Sequence, residues 1–332
     1  MENTDNKLTI NELLAKRKYN PDYIPNKEDI VFTIGTNPAR HTGSLSNFIT
    51  LSGLPKAGKS TFVAAIVASA FVPYDVFSMK IHLPKDRKKL CYFDTESSDY
   101  DFYRQINKIK GFSELTNLPD NFNAYQVRED GSGLIRKMIE AYLEANPECS
   151  VIIIDGLLDL IVNMNDEREA SLVTKWLKKI TKVYNVLLIT VLHQSKSNLS
   201  TTGHIGSASD RFAQSTLDIV KEKDKNCYVL SSRFMRSDAD FDPVTLMNFN
   251  GVFQQVESEN KKTLGKKASD LDDIESKRLC NLIITIPTSY NDISDEIIER
   301  TATSKSYAKN LIKIWINKGW ILKGSDNKYF TR

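Results

Sequence analysis

Cysteine is scarce in this chain: four residues in 332, Cys91, Cys149, Cys227 and Cys280. They lie far apart and form no C-x-x-C pair, which argues against a disulfide framework and a thiolate metal site and suits reduced thiols in a cytoplasmic protein. Charge of one sign is also lacking. The net charge is only +3, so no whole-molecule field draws the chain to nucleic acid, and any basic surface must be local. Long hydrophobic runs are missing as well. No stretch approaches the roughly 20 apolar residues needed to span a bilayer, and Phe62 to Val72 reads as a buried helix. The opening Met1-Glu2-Asn3-Thr4-Asp5 is polar and acidic, unlike a secretory leader. There is no internal repeat and no low-complexity tract.

What is there begins with Gly53-Leu54-Pro55-Lys56-Ala57-Gly58-Lys59-Ser60, a full match to G-x-x-x-x-G-K-[ST]. The β-prone run Phe48-Ile49-Thr50-Leu51 precedes it, and a helix-forming run from Thr61 to Ala70 follows. In this setting loop N–H groups and a helix N-terminus face a phosphate. Lys59 would reach the β- and γ-phosphates, and Ser60 would hold a Mg²⁺ ion that keeps most of its waters.

From residue 46 to 255 strand-like and helix-like runs alternate. Strands are expected at Phe48–Ser52, Leu90–Phe93, Phe122–Val127, Val151–Ile154, Val186–Val191, Leu217–Val220, Tyr228–Ser231 and Val244–Phe249. Helices are expected at Ser60–Ala70, Tyr100–Ile109, Gly133–Glu144, Arg168–Val183 and Ser207–Ala213. This alternation predicts an α/β fold with a mainly parallel sheet. The strands near 228 and 244 are close enough to form an antiparallel extension.

Residues 1–45 are polar and read as an N-terminal arm with one short helix near Ile10 to Lys16. Either it is a loose tail or it packs on a neighbouring subunit. Residues 256–269 lack apolar content and read as a linker. Residues 270–332 read as a small winged-helix domain. Its first helix carries Leu271, Ile274, Leu279 and Leu282, and Ser294 is expected to cap the second. After a turn at Thr303-Ser304, the third carries Ala308, Leu311, Ile312, Trp315 and Ile316 at helical spacing. Gly319 ends it, and Trp320-Ile321-Leu322 would pair with Lys328-Tyr329-Phe330.

Three strand ends carry candidate chemistry. Val151-Ile152-Ile153-Ile154-Asp155 is an apolar strand ending in an acid that could help hold Mg²⁺ through water. Leu90-Cys91-Tyr92-Phe93-Asp94-Thr95-Glu96 ends in acids that either cap the next helix or orient the attacking water. Glu96 is the first choice for that role and Asp94 the second. Leu187 to Leu192 leads into His193 and Gln194, either of which could sense a γ-phosphate. The polar segment 195–206, with Lys196, has the composition of a strand-gripping loop. Further on, Arg233 and Arg236 are either a surface pair or the source of an arginine finger.

These residues in this order resemble the RecA-like ATPases, and within them the hexameric replicative helicases of the RepA type from plasmids and mobile elements. The resemblance covers residues 45 to 255. Gly53–Ser60, with Thr61 beyond it, matches the first nucleotide motif, Glu96 the catalytic glutamate and Asp155 the second nucleotide motif. Val191 to Lys196 is similar to the strand-end motif that links nucleotide state to the DNA loop, and Gly203 to Ser209 to the glycine-serine segment that follows it. Arg233 and Arg236 fall where the family places basic residues acting across the subunit interface, although their spacing is wider than the basic pair of DnaB-type members. The resemblance implies a ring or filament of subunits, as a ring a hexamer, with ATP and Mg²⁺ at each interface and central loops that contact single-stranded DNA.

The C-terminal stretch gives a second pointer to DNA. From Arg300 to Arg332 there are eight Lys or Arg against one acid, Asp326. Lys305, Lys309, Lys313, Lys323 and Lys328 could neutralise phosphates, or the face could be merely solvated or dock a partner. Three readings remain open: a DNA motor or helicase, a DNA-bound regulatory or loading ATPase, and a small-molecule kinase.

Overall fold

The structure is a computed structural model that describes residues 9–24, 29–164, 166–194, 203–222, 226–256, 273–301, 305–324 and 326–331. The chain divides into two compact units, Met1–Glu222 with Leu230–Phe241, and Lys223–Val229 with Asp242–Arg332. Helices of the first unit are α1 (Ile10–Arg17), α2 (Lys59–Ser69), α3 (Asp99–Ser113), α4 (Ser132–Ala145), α5 (Glu167–Tyr184) and α6 (Gly203–Phe212). Its strands are β1 (Ile30–Ile34), β2 (Arg40–Ser44), β3 (Phe48–Gly53), β4 (Met79–Ile81), β5 (Lys89–Asp94), β6 (Phe122–Gln126), β7 (Cys149–Asp155), β8 (Leu187–His193), β9 (Ser215–Glu222) and the later part of β10 (Cys227–Met235).

The fold is α/β, with a large sheet that is mostly parallel. In the first unit its order is β10-β9-β3-β8-β7-β5-β6. Every pairing from β9 across to β6 is parallel. The reason is legible in β3, buried at all six positions, and in β7, whose run Ser150 to Ile154 is wholly buried. Strands so apolar on both faces need helices above and below them. On one face α4 and α5 supply Ile135, Ile139, Val173, Leu177 and Ile180 against Ile152, Ile154 and Leu188. Helix α2 is apolar around its whole circumference, and Phe62, Val63, Ile66 and Val67 are fully buried. Each such side chain contributes about 1.5–3 kcal/mol by leaving water. The helix behind the phosphate motif is therefore anchored as core.

The stretch read as an N-terminal arm holds regular structure. Helix α1 is there, closed by a capping box between Thr9 and Glu12, but β1 and β2 follow it and pair antiparallel. With the three-residue β4 they form a small sheet ordered β2-β1-β4. Helix α6 starts at Gly203, four residues before the helix expected at Ser207, so the end of the predicted loop 195–206 is helical. Residues 195–202 of that loop, Lys196 among them, lie outside the described residues.

In the second unit β11 (Val244–Phe249) and β12 (Val252–Val256) form an antiparallel hairpin. Helices α7 (Asp273–Ile283), α8 (Tyr290–Thr301) and α9 (Lys305–Asn317) precede a second hairpin of β13 (Ile321–Lys323) and β14 (Tyr329–Thr331). Cys280, Ile293, Ile297, Leu311, Ile312 and Trp315 pack together among them. Two details differ from the sequence reading. The cap of α8 is Ser289, whose Oγ accepts from Asp292 N at 3.3 Å, whereas Ser294 is buried inside the helix. Ile316 is exposed, because the buried stripe of α9 turns through Trp315 instead. The linker expected at 256–269 falls outside the described residues apart from Val256, as does the turn at Thr303-Ser304.

Candidate active site

The phosphate-type loop leaves the carboxyl end of β3 and enters α2 directly. Lys56 and Gly58 both have left-handed backbones, with φ of 65° and 96°. Alternation of left- and right-handed residues in a short loop turns successive N–H groups toward one point, as an anion nest requires. Gly58 is the N-cap of α2 and makes no side-chain capping bond. The first turn of the helix is thus free of an internal side-chain acceptor that would compete with an anion. Leu54 is half-buried and Ala57 buried, while Pro55, Lys56 and Ser60 are exposed. Helix α3 braces the start of α2: Gln105 Nε2 donates to Ser60 O at 2.8 Å, and Lys108 Nζ to Thr61 Oγ1 at 3.4 Å.

Lys59 is buried, and burial is the main reason its ammonium pKa lies below the usual lysine range, with Glu96 and Asp155 acting the other way. Its Nζ lies 3.0 Å from Gly53 O, Leu54 O and His193 Nδ1. On the far side of the imidazole, His193 Nε2 lies 3.2 Å from Glu96 Oε2. That contact is the first cause of a Glu96 pKa below the usual carboxylate range. A continuous polar line therefore joins the ends of β3, β8 and β5, at the carboxyl edge where open parallel sheets bind ligands.

The structure separates the two acids of the β5 end. Asp94 is buried, and its Oδ1 accepts from Glu96 N at 3.1 Å and Ser97 N at 2.8 Å. Its Oδ2 lies 3.0 Å from Tyr92 OH. Asp94 is thus occupied in shaping the turn, while Glu96 keeps a side chain 45% exposed beside Lys59 and His193. The helix cap proper is Ser98.

Asp155 pairs with Asp94 in the β5–β7 register, and Tyr92 OH also reaches Asp155 Oδ2 at 2.9 Å. Burial first, and Asp94 second, push the Asp155 carboxyl up to about 7. Burial and both carboxylates raise the Tyr92 phenol well above its ordinary range. Gly156 follows with φ of 121°, and a Cβ there would lie 1.9 Å from Thr95 Oγ1. Thr95 Oγ1 in turn lies 2.9 Å from Asp155 O and 2.6 Å from Asp159 Oδ2.

Gln194 faces the other way along the sheet. Its N donates to Gly53 O at 3.1 Å, and its Nε2 donates to Ser52 Oγ at 3.1 Å and Asp218 Oδ1 at 2.8 Å. Asp218 also receives Arg233 Nε at 2.9 Å, and Arg233 Nη1 reaches Asp210 at 3.4 Å. Arg233 is therefore an internal ion-pair residue with a side chain only 18% exposed. Arg236 is exposed and donates to the Arg211 carbonyl. Of the predicted basic residues of the second unit, Lys309, Lys313, Lys323 and Lys328 are exposed, and only the backbone of Lys305 is described.

Sequence reasoning did not single out Tyr92, Thr95, Gly156, Asp159 or Asp218 for the site. Tyr92 stands two residues before Asp94 and so on the same strand face, and Asp218 is an acid between Leu217 and Ile219, both buried. Those were the available signals.

The residues fit a nucleoside triphosphate with Mg²⁺: an uncapped helix start, a nest, a buried cation and the oxygen donors Ser60 and Asp155, which suit a hard cation. Among the described residues there is no group of three or more His, Cys, Asp or Glu able to hold a metal alone. No described helix is long and apolar enough to cross a membrane.

No protein-family model matches the chain. No curated protein matches it in sequence. Among solved structures, a KaiC-like protein from the hyperthermophilic archaeon Pyrococcus horikoshii is similar over 70% of this chain and 100% of its own, at 13% identity and a TM-score of 0.48. That likeness is too remote to bear on activity.

Proposed function

We propose that this chain is an ATP-hydrolysing enzyme of the RecA-like phosphate-loop class. The observation that carries the reading is the hydrogen-bonded line Lys59–His193–Glu96 across three strand ends, with Asp155 on the neighbouring strand. Loop N–H groups from Gly53 to Thr61 and the Lys59 ammonium would bind phosphate oxygens and neutralise their charge. Glu96, held ionised by His193, would accept the proton of an attacking water. Ser60 and Asp155 would hold Mg²⁺, which when bound supplies further charge neutralisation at the phosphates. His193, in contact with both Lys59 and Glu96, is the more direct sensor of phosphate state. Gln194 would act through Ser52 and Asp218.

Within that class we favour a ring-forming motor on single-stranded DNA, similar to the RepA-type replicative helicases, with ATP at subunit interfaces. Supporting it are the exposed Arg236 and the basic terminal stretch, whose three helices and hairpin suit a winged helix. A DNA-bound regulatory ATPase would use the same parts.

Lys59→Ala should abolish ATP hydrolysis, and Glu96→Gln should keep ATP binding while turnover falls at least a hundredfold. The ATPase rate is then measured with and without single-stranded DNA, and sedimentation with ATP and DNA reads the assembly. Normal turnover in Glu96→Gln would reject the assigned base. Hydrolysis indifferent to DNA, with phosphate passed to a small acceptor, would reject the motor in favour of a kinase.

A further inference from the structure

Tyr92 is fully buried on β5, its ring stacked against Phe102 of α3 with centroids 6.2 Å apart and planes 5° from parallel. Its hydroxyl stands between two carboxylates that the strand register sets opposite each other, at 3.0 Å from Asp94 Oδ2 and 2.9 Å from Asp155 Oδ2. A phenol has one proton to donate, so it can serve only one of them at a time. The two acids are unequally supplied. Asp94 already accepts two backbone N–H groups through Oδ1. For Asp155, Tyr92 is the only hydrogen-bond donor to the carboxylate among the described residues.

We infer that Tyr92 is the positioning residue of the cation site, a fixed donor that holds the Asp155 carboxylate in the orientation a divalent cation needs. The inference rests on the nucleotide–Mg²⁺ reading of the site. The ring cannot swing, because Phe102 and the strand enclose it, so the donor's position is set by the fold. Without the hydroxyl, Asp155 would face the like charge of Asp94 with no bond to fix its rotamer. Cation binding would then have to order it.

The test is Tyr92→Phe in the full chain. Mn²⁺ binding in the presence of ATP is followed by electron paramagnetic resonance, and the Mg²⁺ concentration for half-maximal ATP hydrolysis is measured beside it. About tenfold weaker Mn²⁺ binding is expected, equivalent to about 1.4 kcal/mol. The half-saturating Mg²⁺ should rise by a similar factor, while turnover at saturating Mg²⁺ and ATP binding in chelator stay near wild type. Asp155→Asn should weaken Mn²⁺ too, and adding Tyr92→Phe to it should cost nothing more. If Tyr92→Phe folds poorly, 4-aminophenylalanine at position 92 (a donor on the same ring) is compared with 4-methylphenylalanine. The first should keep wild-type metal binding and the second should lose it.

Unchanged Mn²⁺ affinity in Tyr92→Phe or in the 4-methyl variant, whatever the melting temperature does, overturns the inference. So does tighter binding, which would make the hydroxyl a competitor of the cation. A wild-type protein that binds ATP with no dependence on divalent cations would instead overturn the nucleotide–Mg²⁺ reading itself.

Discussion

Replacing Gly156 by alanine should be among the most damaging single-methyl changes in the first unit. The residue sits at φ of 121°, where an L side chain is strained by about 1–3 kcal/mol. The added Cβ would lie 1.9 Å from Thr95 Oγ1, 2.8 Å from Asp159 Oδ2 and 3.1 Å from Glu96 Cγ. Thr95 is buried, so its short branched side chain has nowhere cheap to go. Moving it gives up its bonds to Asp155 O and Asp159, at about 1 kcal/mol each. Together the loss is about 3–5 kcal/mol. For a unit of this size each kcal/mol lowers the melting temperature by about 2–4 °C, so a fall of about 10 °C is expected. Differential scanning calorimetry of the full chain reads it on the transition of the first unit. ATP hydrolysis should fall as well, because Glu96 is one of the atoms displaced. A variant melting within 2 °C of wild type, with normal hydrolysis, would refute the geometry around Asp155.

Four further outcomes follow from the same physical terms. Arg233→Ala leaves the half-buried Asp218 without its guanidinium and should cost about 2 kcal/mol, whereas the exposed Arg236→Ala should stay within about 0.5 kcal/mol in urea unfolding. If Arg236 acts at a neighbour's site, mixing Arg236→Ala with Lys59→Ala subunits should restore some hydrolysis, and no recovery at any ratio would count against it. All four cysteines are buried, and burial pushes the thiols of Cys149 and Cys280 up to about 12 and about 11 and that of Cys91 up as well. Iodoacetamide at pH 8 should label none of the four in the native chain and all four in guanidinium. The folded chain also holds these protons to higher pH than the unfolded one. Stability should therefore decline as pH rises above about 8.5, the ordinary thiol value.

Much of the first unit was readable because its central strands are buried on both faces: Val151 to Ile154 is wholly apolar and Leu187 to Leu192 is broken only by Thr190, in runs of strand length. The candidate residues Asp155 and His193 stand out as the first polar groups after these runs, with Gln194 next to His193, and Glu96 is the third polar residue after Leu90 to Phe93. What could not be read is whatever depends on register. Nothing local says that Asp94 lies opposite Asp155, so Tyr92 passes for an ordinary core aromatic. On sequence alone Glu96 ranks ahead of Asp94, but the two backbone N–H groups that occupy Asp94 depend on the turn and leave no local signal. Arg233 and Arg236 look equivalent three residues apart, and only the acid at 218 makes one an internal brace. Strands β1 and β2 escaped because polar neighbours and two nearby prolines outweighed the short run Ile30 to Ile34. The three-residue β4 is too short for any period. Ser294, followed by two acids, has the better cap signature, but burial of Ile293 and Ile297 in the C-terminal core starts the helix earlier.

The three acceptors around the Lys59 ammonium have a consequence for energetics. Because Gly53 O, Leu54 O and His193 already satisfy its three protons, a phosphate arriving there performs an exchange of partners. The observed affinity is then a difference between two sets of bonds, smaller than either. The bond to His193 is the one whose loss is felt elsewhere, since the same imidazole holds Glu96. On the proposed reading, a ligand that wins Lys59 would leave His193 bonded to Glu96 alone through Nε2, and His193→Ala, which removes one of the partners Lys59 must give up, should tighten ligand binding while weakening its coupling to hydrolysis.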